Sequence, residues 1–417
     1  MRIGASTNLN SICFYFQVHQ PYRLKGRRAF DPIAAPHLFN DQRNRAILEK
    51  VAHKCYLPAN QLMLDLVQRW SGRFRIAYSI TGVLLDQMAD YAPEVLDSFK
   101  RLVDTGCVEL LGETYYHSLA SLYDQREFFA QVDQHADTMR HTFGARPRVF
   151  RNTELIYDDW IGALLANRAY DAVIAEGVDD VLGWRSPNFV YQIPNTNTRL
   201  LLKNYRLSDD IAFRFSNKAW QHFPLTADKF AHWVHAHSDA GQIVNLFMDY
   251  ETFGEHQWES TGIFQFLDHL PEAVLRHPDW GFCTPTEAVQ QYDPIAELSF
   301  GRLTSWADMD RDLTAWRGNR MQQRALKEIY TLTSLIRRCD DAALTNAWRR
   351  LQTSDHYYYM CTKWFSDGDV HAYFSPFESP YDAFVSFMNA IEDLKQVATA
   401  KLAASTQQDV QTRRKAA

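Results

Sequence analysis

Two kinds of side chain in this sequence are placed for chemistry: carboxylates that follow apolar runs, and the histidines and aromatic residues crowded beside them. The clearest case is Ile243 to Trp258, IVNLFMDYETFGEHQW. Ile243, Val244, Leu246, Phe247 and Met248 read as a strand buried on both faces, as in a parallel sheet covered by helices. Asp249 and Glu251 follow at its C-terminal end, two residues apart, so an extended chain turns both side chains to one face. Parallel α/β folds put their active sites at that end. A lone Asp after a strand often caps a turn. Here Tyr250, Phe253, His256 and Trp258 share the loop, a costly composition for a connector.

Three more apolar runs end in the same way: in His19-Gln20, in Glu113 with Tyr115, Tyr116 and His117, and in Glu154. Two carboxylates carried on different strands can be set across a bond and given different environments, as acid and nucleophile in glycosidic cleavage require. One such loop means little; four of one kind mean a site.

The elements that must position these residues alternate. Ser11 to Val18 reads as the first strand; Pro21 cannot donate to a ladder and ends it, leaving His19 at its C-terminal end. Further strands are expected at Arg75 to Ile80, Val108 to Leu111, Arg148 to Phe150, Ala172 to Ala175, Arg199 to Lys203, Ile243 to Met248 and Trp280 to Cys283. Helical spacing lies between them, in Ile47 to Leu66 with a break near Pro58, in Val95, Phe99 and Leu102 before Gly106, from about Asp124 to His141, and in Phe264 to Leu275. About seven strand and helix units predict a closed barrel over an open sheet, and no G-x-G-x-x-G follows the first strand. The fold class expected is thus α/β, an incomplete TIM-like (β/α)7 barrel followed by a helical C-terminal region. The expected boundaries are 1-295 for the barrel, 296-405 for the helical region, which is expected to contribute to the active-site cleft, and 406-417 for a disordered polar tail.

Composition narrows the partners. The net charge of -6 over 417 residues, with no basic block before the last residues, argues against a nucleic-acid surface and suits a neutral substrate. Eleven Trp and 20 Tyr suggest binding surfaces beyond the core. The six cysteines are scattered without a C-x-x-C pair, and neither a signal peptide nor a membrane span is evident, so a cytoplasmic protein is expected. Oligomeric state is not legible.

Five segments carry a family resemblance: HQP at 19 to 21, LLGETYYHSL at 110 to 119, FRNTELIY at 150 to 157, FMDYETFGEHQWE at 247 to 259, and SDHYYYMCTKWFSDGDVHAYFSPF at 354 to 377. They resemble the five ordered motifs of glycoside hydrolase family 57, and most closely its α-amylase-like members. The resemblance implies a seven-stranded incomplete barrel with a helical region, action on α-glucans or maltooligosaccharides with retention of configuration, and no metal or other cofactor. It implies Glu154 as nucleophile and Asp249 as general acid/base. Substrate contacts fall by the same resemblance on His19, Gln20, Glu113, His117, Glu251, His256, Trp258, Asp355 and His356, with Trp306 lining the glucan groove. For Asp355 the residue pattern alone also allows a helix N-cap.

Other readings stay open. Transfer to a sugar hydroxyl, by a 4-α-glucanotransferase or a branching enzyme, needs the same residues as hydrolysis. His19, His117, Asp249, Glu251 and His256 are admissible ligands for a metal-dependent polysaccharide deacetylase-like hydrolase, though that leaves Glu154 without a task. A non-catalytic glucan-binding protein would not need paired acids.

Overall fold

Strand β1, Asn10–Val18 (NSICFYFQV), is buried along its whole length, and its side chains divide by parity. Ile12, Phe14, Phe16 and Val18 join a large apolar cluster with residues of the surrounding helices, whereas Cys13 and Tyr15 join a smaller one built from the opposite strand faces. A strand apolar on both faces belongs in the middle of a covered parallel sheet. That is its position in the computed structural model, which describes residues 10–27, 31–237, 241–363 and 375–416.

The other strands are β2 (Ile76–Ile80), β3 (Val108–Leu110), β4 (Val149–Arg151), β5 (Ala172–Glu176), β6 (Tyr191–Gln192), β7 (Arg199–Lys203), β8 (Ile243–Asp249) and β9 (Trp280–Phe282). Along the sheet the order is β3-β2-β1-β8-β7-β5-β4, all in parallel pairing. Gly112, just past β3, forms a parallel bridge with Phe150 of β4, giving its N–H to the Val149 carbonyl (2.9 Å) and accepting from the Arg151 N–H (2.8 Å). The seven strands therefore close into a ring in chain order. This is the incomplete barrel expected from the alternation, with the smaller apolar cluster inside and the larger one outside beneath the helices. Two junctions are thin: the lone Gly112 bridge between β3 and β4, and the single Lys203–Asn245 pairing between β7 and β8. The two-residue β6 pairs antiparallel with β7, and β9 pairs with the start of β1.

The break anticipated near Pro58 is a π-helical turn, Ala52–Tyr56, between the helices Asp41–Val51 and Leu57–Arg69. Pro58 lacks the N–H that a continuous helix would need, and the wider turn absorbs the mismatch.

The chain forms two compact units, neither contiguous in sequence. The first comprises Met1–Gln20, Arg45–Thr114 and Val132–Trp306 and contains the barrel. The second comprises Pro21–Asn44, Tyr115–Gln131 and Ala307–Ala417. Sequence continuity alone gives no reason to assign the two early loops away from the barrel. In the second unit the fully buried Trp348 donates its indole N–H to the Ile329 carbonyl (2.9 Å), and Glu127 accepts from Arg349 Nε (2.6 Å). The last helix runs Pro380–Ala416, so most of the segment 406-417, expected as a disordered tail, continues as helix. QQDVQTRRKA holds no Gly or Pro to stop it. No helix among the described residues is long and apolar enough to cross a membrane.

Candidate active site

The upper interior of the barrel turns from apolar to charged because the inward parity of each strand ends on a polar residue. Gln17 of β1, Ser79 of β2, Arg151 of β4, Glu176 of β5, Lys203 of β7 and Asp249 of β8 are all at or near the C-terminal ends. Every one except Asp249 is buried.

Glu154 follows β4 in a 3-10 turn, Thr153–Leu155, with a left-handed backbone (φ 56°, ψ 25°), and Leu155 shares that region (φ 52°). Two consecutive non-glycine residues with positive φ are strained, a condition found where function fixes a side chain. The Glu154 carboxylate accepts the Trp306 indole N–H on Oε2 (2.7 Å), and its carbonyl accepts the Trp306 main-chain N–H (3.2 Å). Trp306 packs on Phe247, with ring centroids 5.1 Å apart, two residues before Asp249 in β8. Two cations lie over its ring: Arg151 at 5.7 Å and Lys203 at 5.2 Å. Lys203 is itself held by Glu176 (3.3 Å) and Asp209 (3.7 Å).

Glu113 is fully buried, accepts from the Ser79 hydroxyl (2.8 Å) and lies 3.8 Å from Arg151 Nη1. Burial pulls the Arg151 guanidinium down from its usual range, while the charges of Glu113, Glu154 and Asp249 pull it back up. Arginine stays protonated throughout, so one buried cation faces three carboxylates.

Asp249 and Glu251 do not continue one extended face. The strand ends at Asp249, and Tyr250–Thr252 form a 3-10 turn that carries Glu251 towards the π-helical turn, where the Tyr56 hydroxyl donates to its Oε1. Gln20 Nε2 also reaches that oxygen (3.4 Å), and Gln87 donates to the Gln20 carbonyl (2.7 Å). Burial first, and then the charge of Asp249, push the Glu251 carboxyl up to about 8. His19, half-buried after β1, pairs through Nδ1 with the Thr81 hydroxyl (2.9 Å).

Trp258 faces the outer helices. Gly254 (φ 116°) approaches the π-helical turn so closely that a Cβ would lie 1.9 Å from the Lys54 carbonyl oxygen. The loop beyond it is fastened by Glu255 to Lys50 and Lys54. Trp258 is 61% exposed under Lys54 (5.7 Å), in a groove of about 780 Å³ shared with Leu62, Arg69, Phe264 and Asp268. Burial lowers the His256 imidazole to about 4.

His117, Asp355 and His356 belong to the second unit. His117 has a left-handed backbone (φ 49°) and gives its carbonyl to the Ser354 N–H (2.9 Å). Asp355 is the second residue of the short helix Ser354–Tyr358; Thr353 takes the N-cap position, so the capping role open to Asp355 from sequence is not the one it has. His356 is buried against Phe39 and Phe387 and bonds the Arg350 carbonyl (3.2 Å), the environment of a core histidine. Of the fifth resembling segment, 364–374 lie outside the described residues.

Arg151, Lys203, Ser79 and Tyr56 were missed by sequence reasoning. The first three obey the strand-end rule that singled out Asp249, since period-two alternation from Val149 turns Arg151 inward.

An indole-bonded carboxylate after β4 and a second carboxylate at the end of β8, both at the polar end of a parallel barrel, are the groups a glycoside hydrolase uses. The chain belongs to glycosyl hydrolase family 57, whose model matches residues 13–300. A relative from Methanocaldococcus jannaschii, named "Putative alpha-amylase", is 40% identical over 416 residues, covering 97% of this chain and 88% of its own. Among solved structures, a family 57 branching enzyme from Thermococcus kodakaraensis is similar with a TM-score of 0.67 at 14% identity, over 92% of this chain and 90% of that one. The alpha-amylase of Thermotoga maritima gives 0.61 at 12% identity, over 94% of each chain. The 4-alpha-glucanotransferase of Thermococcus litoralis gives 0.60 at 14% identity over 84% of this chain, which spans only 56% of that longer protein. At these identities the structural likeness speaks for the fold.

Proposed function

We propose that this chain is an α-amylase-like glycoside hydrolase cleaving α-1,4-glucans with retention, Glu154 acting as nucleophile and Asp249 as general acid/base. The observation that carries the reading is the held geometry of Glu154: a strained backbone, one carboxylate oxygen fixed by Trp306, and a fully buried cation nearby. A carboxylate held in one orientation by its backbone and by an indole N–H is set in place before the substrate arrives, as a nucleophile must be.

In the first step Glu154 attacks the anomeric carbon, and the bond from that carbon to the leaving oxygen breaks as Asp249 delivers its proton to that oxygen. In the second, Asp249 takes a proton from water, the resulting hydroxide joins the anomeric carbon, and Glu154 departs as a carboxylate. Glu251 suits a supporting role behind Asp249: held neutral by burial, it adds no second negative charge beside the acid/base. His19 and Gln20 stand at the end of the neighbouring strand, where hydroxyls of a bound sugar are within their chemistry. The resemblance carries the contacts of His117 and Asp355, and Asp355 is tested below.

Incubation with one pure maltooligosaccharide, with products resolved by length, tests the reading. New reducing ends and shorter chains are expected. Longer chains at constant reducing ends would assign glucan transfer instead, and no change in chain length would leave only a binding protein.

A further inference from the structure

Arg151 is fully buried, and none of its guanidinium nitrogens has a hydrogen-bond partner among the described residues. Its approach to Glu113, 3.8 Å, is too long for a hydrogen bond. A buried cation without such bonds is costly, and a fold keeps one chiefly where its charge is used. Here the surroundings show the use. The guanidinium lies over Phe247 (5.3 Å) and Trp306 (5.7 Å), and Trp306 in turn fixes Glu154 (2.7 Å). Phe247 leads to Asp249 two residues on. Arg151 thus lies against the indole that holds Glu154 and against the strand that ends at Asp249, without hydrogen-bonding either carboxylate.

Its charge faces all three carboxylates. Glu113 has the Ser79 hydroxyl, and Glu154 has the indole N–H. At Glu154 the cation's charge and the indole N–H on Oε2 act in the same direction, since each favours the charged form.

We propose that Arg151 is a positioning residue that keeps Glu154 ionised as the nucleophile and, by its cation–π contact with Trp306, holds the indole where it fixes that carboxylate. The proposal rests on the roles given above to Glu154 and Asp249. Other titratable groups around this centre are Lys203 on β7 with its partner Glu176 on β5, Tyr15 on β1 near Glu176, and His135 near Glu113. All of them remain when Arg151 alone is changed.

The test is the pH profile of kcat/KM on a chromogenic maltooligosaccharide for Arg151→Lys, Arg151→Met and the double variant Glu113→Gln with Arg151→Met. Loss of the cation should move the acidic limb of Arg151→Met up by about one pH unit or more, with kcat down about ten- to a hundredfold. Arg151→Lys should keep the limb near its wild-type position while losing part of kcat, because a compact ammonium restores charge but not the broad guanidinium that spans Phe247 and Trp306. If Arg151→Met fails to fold, the double variant is compared with Glu113→Gln alone, a pair that differs only in the cation, and the acidic limb should again lie about one pH unit or more higher where Arg151 is absent. An acidic limb unmoved in a folded, active variant lacking Arg151, or moved equally by lysine and methionine, overturns the proposal and leaves the assignment of Glu154 untouched. Normal turnover in Glu154→Gln would instead remove the reading beneath it.

Discussion

The indole N–H of Trp306 ends on Oε2 of Glu154 at 2.7 Å, and the main-chain N–H of the same tryptophan meets the Glu154 carbonyl at 3.2 Å. The two residues are 152 positions apart, so the double contact fastens the end of the first unit's chain to the turn after β4. Trp306 is therefore more than a flat wall for a sugar ring: its edge supports the carboxylate that we read as the nucleophile.

Trp306→Phe keeps a stacking ring and removes the donor. A hydrogen bond to a charged group contributes about 1.5 to 3 kcal/mol, so kcat should fall by roughly 10- to 150-fold with KM little changed. A raised KM at unaltered kcat would mean that Trp306 only lines the groove.

Glu154→Gln and Asp249→Asn should each lower turnover by at least about a hundredfold. Both changes are isosteric and made in a polar setting, so thermal unfolding should shift little. Activity of the wild type should survive exhaustive EDTA treatment. Near-normal rates in either variant, or a loss restored by Zn²⁺, would point to different chemistry.

Retention requires the two carboxyl groups to act from about 5 to 5.5 Å apart, against about 6.5 to 9.5 Å in inverting enzymes. Proton NMR taken within the first minutes of hydrolysis should show the α-anomer at the new reducing end. The β-anomer as first product would exclude a glycosyl-enzyme intermediate on Glu154.

Much of this arrangement is legible in the sequence because strands buried on both faces announce themselves. The runs ending at Val18, Ile80 and Asp249 are mostly apolar on both faces, and the polar residues at or just past their ends mark the working face of the barrel. Arg151 escaped notice because a cation after an apolar residue ordinarily faces water; only its place on the inward parity of β4 says otherwise. The direction of Trp258 was not legible either. It depends on Gly254 meeting the Lys54 carbonyl, a contact between segments 200 residues apart. Likewise, no local pattern separates a core histidine such as His356 from a ligand-binding one.

Glu251 makes stability depend on pH. Its folded carboxyl titrates at about 8, above the ordinary value of 4.5. Between these values the unfolded chain is ionised while the folded one holds a proton, so stability falls as pH rises through that window. Glu251→Gln, which mimics the protonated form, should gain stability relative to wild type at pH 8 compared with pH 5. An equal difference in melting temperature at both pH values would show that Glu251 is ionised in the fold.

Asp355→Ala separates a substrate contact from a helix-end role. A lost charged hydrogen bond of about 1.5 to 3 kcal/mol should lower kcat/KM by roughly one to two orders of magnitude. A first-turn carboxylate stabilises its helix by only about 0.3 to 1 kcal/mol, so the melting temperature should move little. Reduced stability with intact catalysis would make the fifth motif structural in this chain.

The ring of strands is a hoop with two weak welds, one at the Gly112 bridge and one at the Lys203–Asn245 pairing. A buried cation stands at each: Arg151 directly after Phe150 of the first weld, Lys203 within the second. Both lean on the same indole. Any loosening of the hoop at either weld is thus felt at Trp306, and through it at Glu154. The two thinnest junctions of the barrel and the carboxylate we read as the nucleophile thus share one support, the Trp306 indole.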